Sequence, residues 1–212
     1  MENKILFNKA AIRWTPNIAY AIGLITTDGN LSSDGRHITF VSKDIGLIKT
    51  FKLCLGLNNR ITPKKSGYSN KMYNKIQFGN VKFYRWLIKI GLMPNKTKVV
   101  AKVDIPDKYF PDFLRGHLDG DGCICVYQDP IYPNSQRLYT RFISASLPHI
   151  QWLQKRMSSL LKIKGYICQH ARGTFELTYA KNESQTLLNV MYYNNIVPCL
   201  KRKRKIAESF IE

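Results

Sequence analysis

The chain has 212 residues, of which 44% are hydrophobic and 12% aromatic, with 33 Lys and Arg against 14 Asp and Glu. That composition excludes a disordered polybasic chain and leaves enough material for one large domain or two small ones. The formal net charge of +19 therefore sits on a folded body and points to a polyanion partner, nucleic acid being the commonest.

Met1 to Trp14 carries Glu2 and no apolar signal core, and no run reaches the roughly 18 apolar residues of a membrane span. A soluble, unexported, intracellular chain with no membrane partner is expected. Thr15 reads as an N-cap with Pro16 at the first helical position, opening a helix that runs to Asp28-Gly29. Asp34-Gly35 is a hairpin turn signal. From Arg36 to Lys43 the pattern alternates, with Ile38 and Phe40 on one face and His37, Thr39, Val41 and Lys43 on the other. Residues 45–56 have helical spacing at Ile48, Phe51 and Leu55. A hairpin over 59–65 and 70–79 turns around Gly67, with Ile76 and Phe78 inward and Lys71, Tyr73, Lys75 and Gln77 outward. Residues 81–91 form a helix closed by Gly91 and Pro94.

Pro111 opens another helix, which runs to Asp121-Gly122. Cys123 and Cys125 alternate as small half-buried strand residues. The five cysteines include no CxxC, which argues against a disulfide framework and a zinc site. Gln128 to Ser135 is a loop rich in Pro and Asn. Arg137, Tyr139 and Arg141 then share one strand face, with Leu138 and Phe142 behind. Residues 147–161 are helical. Residues 165–180 make a hairpin around Arg172-Gly173, with Thr174, Glu176 and Thr178 outward and Phe175, Leu177 and Tyr179 inward. Residues 183–194 are helical, and most of the run Lys201 to Lys205 is expected to be a solvated tail or a phosphate patch.

The same unit is written twice. Ala21 to Gly29 and Leu114 to Gly122 each read as an apolar helix with a central glycine, ending at Asp-Gly, 93 residues apart. Val41-Ser42-Lys43 matches Ile143-Ser144-Ala145 at an offset of 102, and a hairpin lengthened at its tip accounts for the nine-residue drift. Two repeats, residues 1–106 and 107–212, follow. The first carries a net +13 and the second +6.

Gly23-xxx-Thr27 and Gly116-xxx-Gly120 place small residues one turn apart, which lets two helix backbones approach closely. If the repeats pair through these helices, Asp28 and Asp121 meet at two helix C-termini. That negative pocket suits a divalent, oxygen-preferring cation such as Mg²⁺. Asp119 faces Thr26 in the repeat alignment and is read as structural. His117 is expected to be a hydrogen-bonded interface residue, and Arg115 to pair with a carboxylate or backbone carbonyls.

With both motifs in view, the sequence resembles a single-chain, two-motif LAGLIDADG homing endonuclease. Gly23-Leu24-Ile25-Thr26-Thr27-Asp28-Gly29 and Gly116-His117-Leu118-Asp119-Gly120-Asp121-Gly122 carry the match. Ser42-Lys43-Asp44, Pro94-Asn95-Lys96-Thr97-Lys98 and Phe113-Leu114-Arg115-Gly116 extend it, and it spans essentially the whole chain. The resemblance implies an α+β fold of duplicated αββαββα units. Two saddle-shaped antiparallel sheets would sit over the DNA major groove, with the motif helices at a pseudo-two-fold interface. It implies metal binding by Asp28 and Asp121, with the carbonyls of Thr27 and Gly120 as supplementary ligands. It also implies hydrolysis of both strands across the minor groove. The metal would be Mg²⁺ or Mn²⁺, with Ca²⁺ able to occupy the site without supporting cleavage. By the family pattern Lys98 and Lys203 are the peripheral lysines at the scissile phosphates, with Lys96 and Lys201 as rivals. Lys43 matches a position that touches the water network, and its counterpart is Ala145.

DNA readers are expected on the outward strand faces: Arg36, Thr39, Lys71, Lys75 and Gln77 in the first repeat, and Tyr127, Arg137, Arg141, Glu176 and Thr178 in the second. Because the two faces differ, the target should be asymmetric. The expected protein is a monomeric, intron-encoded, site-specific endonuclease acting on double-stranded DNA. The alternatives are an intron maturase on the same fold, with host intron RNA as partner, and a DNA-binding protein with an inert site.

Overall fold

The computed structural model describes residues 12–65, 71–171 and 173–211. The N-terminal residues 1–11 and the turn positions Gly67 and Arg172 lie outside them. Helix α1 (Pro16–Asp28) starts as its sequence dictates: Thr15 Oγ1 accepts from the Ile18 amide at 3.2 Å, and Pro16 occupies a position whose amide would have no helical partner. Every residue from Ile18 to Thr26 is buried, as expected of a helix that is apolar all round. It leads directly into β1 (Gly29–Leu31), which pairs with β2 (His37–Ser42). Next come α2 (Ile45–Cys54), capped by Asp44, then β3 (Thr62–Lys65), β4 (Met72–Gly79) and α3 (Val81–Lys89), capped by Asn80. The second half repeats the order with α4 (Phe110–Asp121), β5 (Gly122–Gln128), β6 (Gln136–Ser144), α5 (Leu147–Leu161), β7 (Tyr166–Gln169), β8 (Phe175–Tyr179) and α6 (Lys181–Met191).

The strands form two four-stranded antiparallel sheets of one topology, β1-β2-β4-β3 and β5-β6-β8-β7. In each, the apolar set predicted to face inward does so. Ile38, Phe40, Ile76 and Phe78 are buried in the first sheet, and Leu138, Phe142, Leu177 and Tyr179 in the second. Register agrees with the alternation: Phe40 lies opposite Ile76 and Thr39 opposite Gln77, so buried and outward sets stay on separate faces.

The nine-residue drift lies at the far end of the first hairpin of each repeat, as expected: the bases share one register, Gly29 opposite Phe40 and Gly122 opposite Phe142, and beyond them β5 and β6 are together seven residues longer than β1 and β2 and the loop 129–135 is two longer than 32–36. Two expectations need correction. The strand expected over 59–65 begins at Thr62. Finally, the basic run is not a solvated tail but a short helix, α7 (Lys201–Ala207), with Lys203 and Arg204 buried.

α1 and α4 pack at the centre through their glycines. A Cβ on Gly23 would stand 2.2 Å from the Phe113 carbonyl oxygen, and one on Gly116 would stand 2.1 Å from that of Tyr20. A Cβ on Gly120 would meet Thr27 Oγ1 at 2.0 Å. The small residues predicted to permit close approach are therefore the ones at the interface. The segment between the repeats is held along α5: Ser146 donates to the Val100 carbonyl at 2.5 Å, His149 Nδ1 lies 2.7 Å from that of Ala101, and Arg156 reaches that of Ile105 at 2.9 Å.

Candidate active site and nucleic-acid face

Both motif helices end on their aspartates, with the amides of Gly29 and Gly122 closing the last turns onto Ile25 and Leu118. Asp28 is half-buried and Asp121 is exposed. Burial, followed by the charge of Asp121, pushes the Asp28 carboxyl up to about 7, while Lys96 and Lys203 oppose the shift. Asp121 is also raised, chiefly by desolvation, against the same two lysines. The two carboxylates thus feel one another, as close packing of α1 on α4 requires.

Each helix end holds a buried lysine. Lys96 Nζ donates to the carbonyls of Thr27 at 3.3 Å and Gly29 at 2.5 Å. Lys203 Nζ donates to the carbonyls of Leu118, Asp119 at 3.2 Å and Gly122 at 2.6 Å. These carbonyls lie where a helix leaves acceptors unsatisfied and where a cation is favoured by the helix dipole. Burial pushes the Lys96 ammonium down to about 8, with Asp121 and Asp28 opposing, and lowers Lys203 as well.

This geometry corrects one expectation. Lys96, not Lys98, stands beside the carboxylates; Lys98 is exposed two residues along the same 3-10 turn. In the second repeat Lys203 is inward and Lys201 is exposed, so Lys96 and Lys203 are the structural counterparts. Lys43 is exposed, its Nζ 5.5 Å from the centre of the Tyr73 ring.

Asp119 is structural, as read. Its Oδ2 accepts from Tyr20 Oη at 2.8 Å and from the Leu200 amide at 2.7 Å, tying α4 to α1 and to the start of α7. Arg115 is wholly buried. It pairs with Asp112 at 2.6 Å and donates to the carbonyls of Pro198, at 2.8 Å, and Met191. His117 stacks on His149, with 3.2 Å between their Nε2 atoms.

Among the described residues no three His, Cys, Asp or Glu side chains converge. A cation here would therefore be held by two carboxylates and by backbone oxygens such as those of Thr27 and Gly120. That donor set is hard, oxygen-only and sparse in protein ligands, which fits an ion that keeps several waters.

The outward face of the first sheet carries Thr39, Tyr73, Lys75 and Gln77, joined by Lys64, which lies opposite Tyr73. Lys64 is hard to find from sequence because Pro63 disguises a four-residue edge strand. Arg36 lies in the turn before β2 with Nη2 3.3 Å from His37 Nε2, and Lys71 is exposed just before β4. On the second sheet Tyr127, Tyr139 and the arginines Arg137 and Arg141 are outward. Glu176 sits between Arg141, at 3.5 Å, and His170, at 3.4 Å. Thr178 departs from expectation: it lies opposite Arg141 but is fully buried, its hydroxyl donating to Glu176 Oε1 at 2.8 Å. It can steady Glu176 but cannot touch a base.

No protein-family model matches the sequence, and no curated protein sequence matches it. Solved structures do. The homing endonuclease I-WcaI bound to its DNA recognition sequence superposes with a TM-score of 0.60 at 12% identity, covering 95% of this chain and 94% of the other. The N-terminal LAGLIDADG domain of DUF199/WhiA gives 0.56 at 16% identity, over 91% and 87%. I-DmoI in complex with DNA and Mn gives 0.55 at 15% identity, over 85% and 98%. The fold of this chain is the two-repeat LAGLIDADG fold.

Proposed function

We propose that the chain is a site-specific, divalent-metal-dependent endonuclease of double-stranded DNA. The observation that carries this is the pairing of Asp28 and Asp121 at the ends of two touching helices, each end also holding a buried lysine. A purely structural helix crossing does not need two carboxylates set against each other. A site for phosphodiester hydrolysis does, and I-DmoI, on the same fold, is seen with DNA and Mn. We take residues 1–106 and 107–212 as the two repeats and the working unit as a monomer, since one chain already supplies both halves.

Asp28 and Asp121, with the carbonyls of Thr27 and Gly120, would hold a Mg²⁺-class cation, which would supply an activated water and charge neutralisation at the leaving oxygen. The glycine packing between α1 and α4 brings the two helices into backbone contact. Lys96 and Lys203 keep positive charge at the rim, where the phosphate gains charge in the transition state. The outward strands hold the duplex, with Thr39, Lys64, Lys75 and Gln77 in one half and Tyr127, Arg137 and Arg141 in the other. Their different chemistry favours an asymmetric target. The fold also occurs in the N-terminal domain of DUF199/WhiA, so it is not confined to homing endonucleases, and a DNA-binding protein with an inert site is the second reading.

Digestion of a plasmid library with Mg²⁺ should give discrete double-strand cuts, lost in Asp28→Asn and in Asp121→Asn while gel-shift binding persists. A variant cutting at the normal rate would remove that carboxylate from the site. Specific binding with no cutting by the unaltered chain would establish the second reading instead.

A further inference from the structure

The two arginines on the outward face of β6 each face a carboxylate, Arg137 through a hydrogen bond from Nε and Arg141 through a longer ionic contact. Arg137 Nε lies 2.7 Å from Asp129 Oδ2, and Arg141 Nε lies 3.5 Å from Glu176 Oε1. In each pair the carboxylate is the covered partner and the guanidinium the open one: Asp129 and Glu176 side chains are 14% and 13% exposed, Arg137 and Arg141 43% and 27%. Both carboxylates are themselves fixed. Asp129 Oδ1 accepts the amides of Ile131, at 2.9 Å, and Tyr132, at 3.1 Å. Glu176 takes the Thr178 hydroxyl and faces His170. The Arg141 guanidinium also lies over the Tyr139 ring, 5.5 Å from its centre.

A guanidinium turned to a carboxylate by its Nε side leaves its two terminal nitrogens for another partner, and those form the fork that matches the N7 and O6 atoms of guanine in the major groove. A bare phosphate interaction would need no such aiming, because a flexible lysine serves as well. The first sheet uses lysines at this level: among the described residues none of Lys43, Lys64 and Lys75 is ion-paired to a carboxylate. Residues 137 and 141 are four apart on one strand, about 13 Å at a rise of ~3.3 Å per residue. Base pairs rise about 3.4 Å each, so that spacing corresponds to about four base pairs.

We propose that Arg137 and Arg141 are guanine readers set about four base pairs apart in the half of the target held by the second repeat, with Asp129 and Glu176 as positioning residues that aim them. The assignment rests on the DNA-binding reading above and adds to it a base identity and a spacing.

Selection of the intact chain on duplexes with a randomised segment, in Ca²⁺ to prevent cutting, tests it by sequencing. The expected motif contains two G·C pairs about four positions apart in one half. Arg141→Lys keeps the charge and should cut the guanine preference at one of them by about tenfold or more, as expected for loss of a bidentate pair. Glu176→Gln should relax that same position alone, and Asp129→Asn the other alone. Binding to non-specific duplex should not weaken in any of the three, and the loss of a carboxylate should if anything tighten it, which a merely structural defect would not allow. If the unaltered chain enriches a motif without that guanine pair, or if the variants keep the guanines, the assignment is wrong and DNA binding stands. If the unaltered chain enriches no sequence at all, both readings fall together.

Discussion

Lys203 closes the C-terminal end of α4. Its ammonium satisfies the carbonyls of Leu118, Asp119 and Gly122 from a position that is 3% exposed, and its partner position in the first repeat is Lys96. Removing either charge leaves buried acceptors unpartnered, at about 1–3 kcal/mol. It also removes a cation from the rim of the carboxylate pair. Lys96→Met and Lys203→Met should therefore lower the melting temperature by several degrees and slow cutting by ~10²-fold. Lys98→Met should do neither. Thermal melts and single-turnover cleavage of the three variants decide the matter, and a dead Lys98→Met beside an active Lys96→Met would reverse the assignment. The sequence could not choose between 96 and 98. Asn95 adopts a left-handed conformation at φ 53° and a 3-10 turn follows, so the periodicity rules that sort residues into faces do not apply there. The aspartates were legible because the motif occurs twice, and a duplicated Asp-Gly at matched spacing is hard to produce by chance.

At the level of elements, what could be read in advance was whatever a local pattern specifies. Thr15-Pro16 marks a helix start, and the strict alternation in β2 and β6 assigns each residue its face without tertiary information. α7 was not legible, because nothing in Lys201 to Lys205 is amphipathic. Its helix is held by Lys203 on distant carbonyls, and by Arg204 on Glu208 at 2.8 Å and on the carbonyls of Asn194 and Asn195 at 3.2 Å. Thr178 failed for a related reason: alternation correctly gave its face, but the network of Arg141, Glu176 and His170 on that face covers it. The α1–α4 crossing yields the sharpest element-scale expectation. Gly116→Ala would place its methyl 2.1 Å from a backbone oxygen, so the helices must separate, whereas Gly120→Ala meets the Thr27 side chain, whose Oγ1 can rotate away and whose Cβ, at 2.8 Å, needs a smaller shift. Overpacking of the first kind costs about 1–3 kcal/mol, against a gain of about 1 kcal/mol in helix propensity. Gly116→Ala should melt several degrees below the unaltered protein and below Gly120→Ala. A melting point at or above that of the unaltered chain would mean the two helix backbones do not touch.

Across the whole molecule, the charge of +19 is not spread evenly in its availability. The first repeat carries +13, and Lys64 and Lys75 on the outward face of its sheet pair with no carboxylate among the described residues. In the second repeat Arg137 and Arg141 are already neutralised within the face, and part of the basic run is turned inward at Lys203 and Arg204. Counterion release follows net charge brought to phosphate, so the first repeat should set the salt dependence of DNA binding while the second sets sequence preference. Replacing Lys64 and Lys75 by Ala should flatten the slope of log K against log salt by roughly 0.9 for each phosphate that is no longer neutralised. The double variant Arg141→Gln with Glu176→Gln removes a pair of no net charge and should leave the slope where it was, though it alters which sequence is bound. Titration of a fixed duplex by each variant between about 50 and 200 mM salt, a range over which phosphate neutralisation changes affinity steeply, yields both slopes directly. Equal flattening in the two variants would show that the second repeat grips phosphates as the first does, and the division of labour between the halves would have to be abandoned.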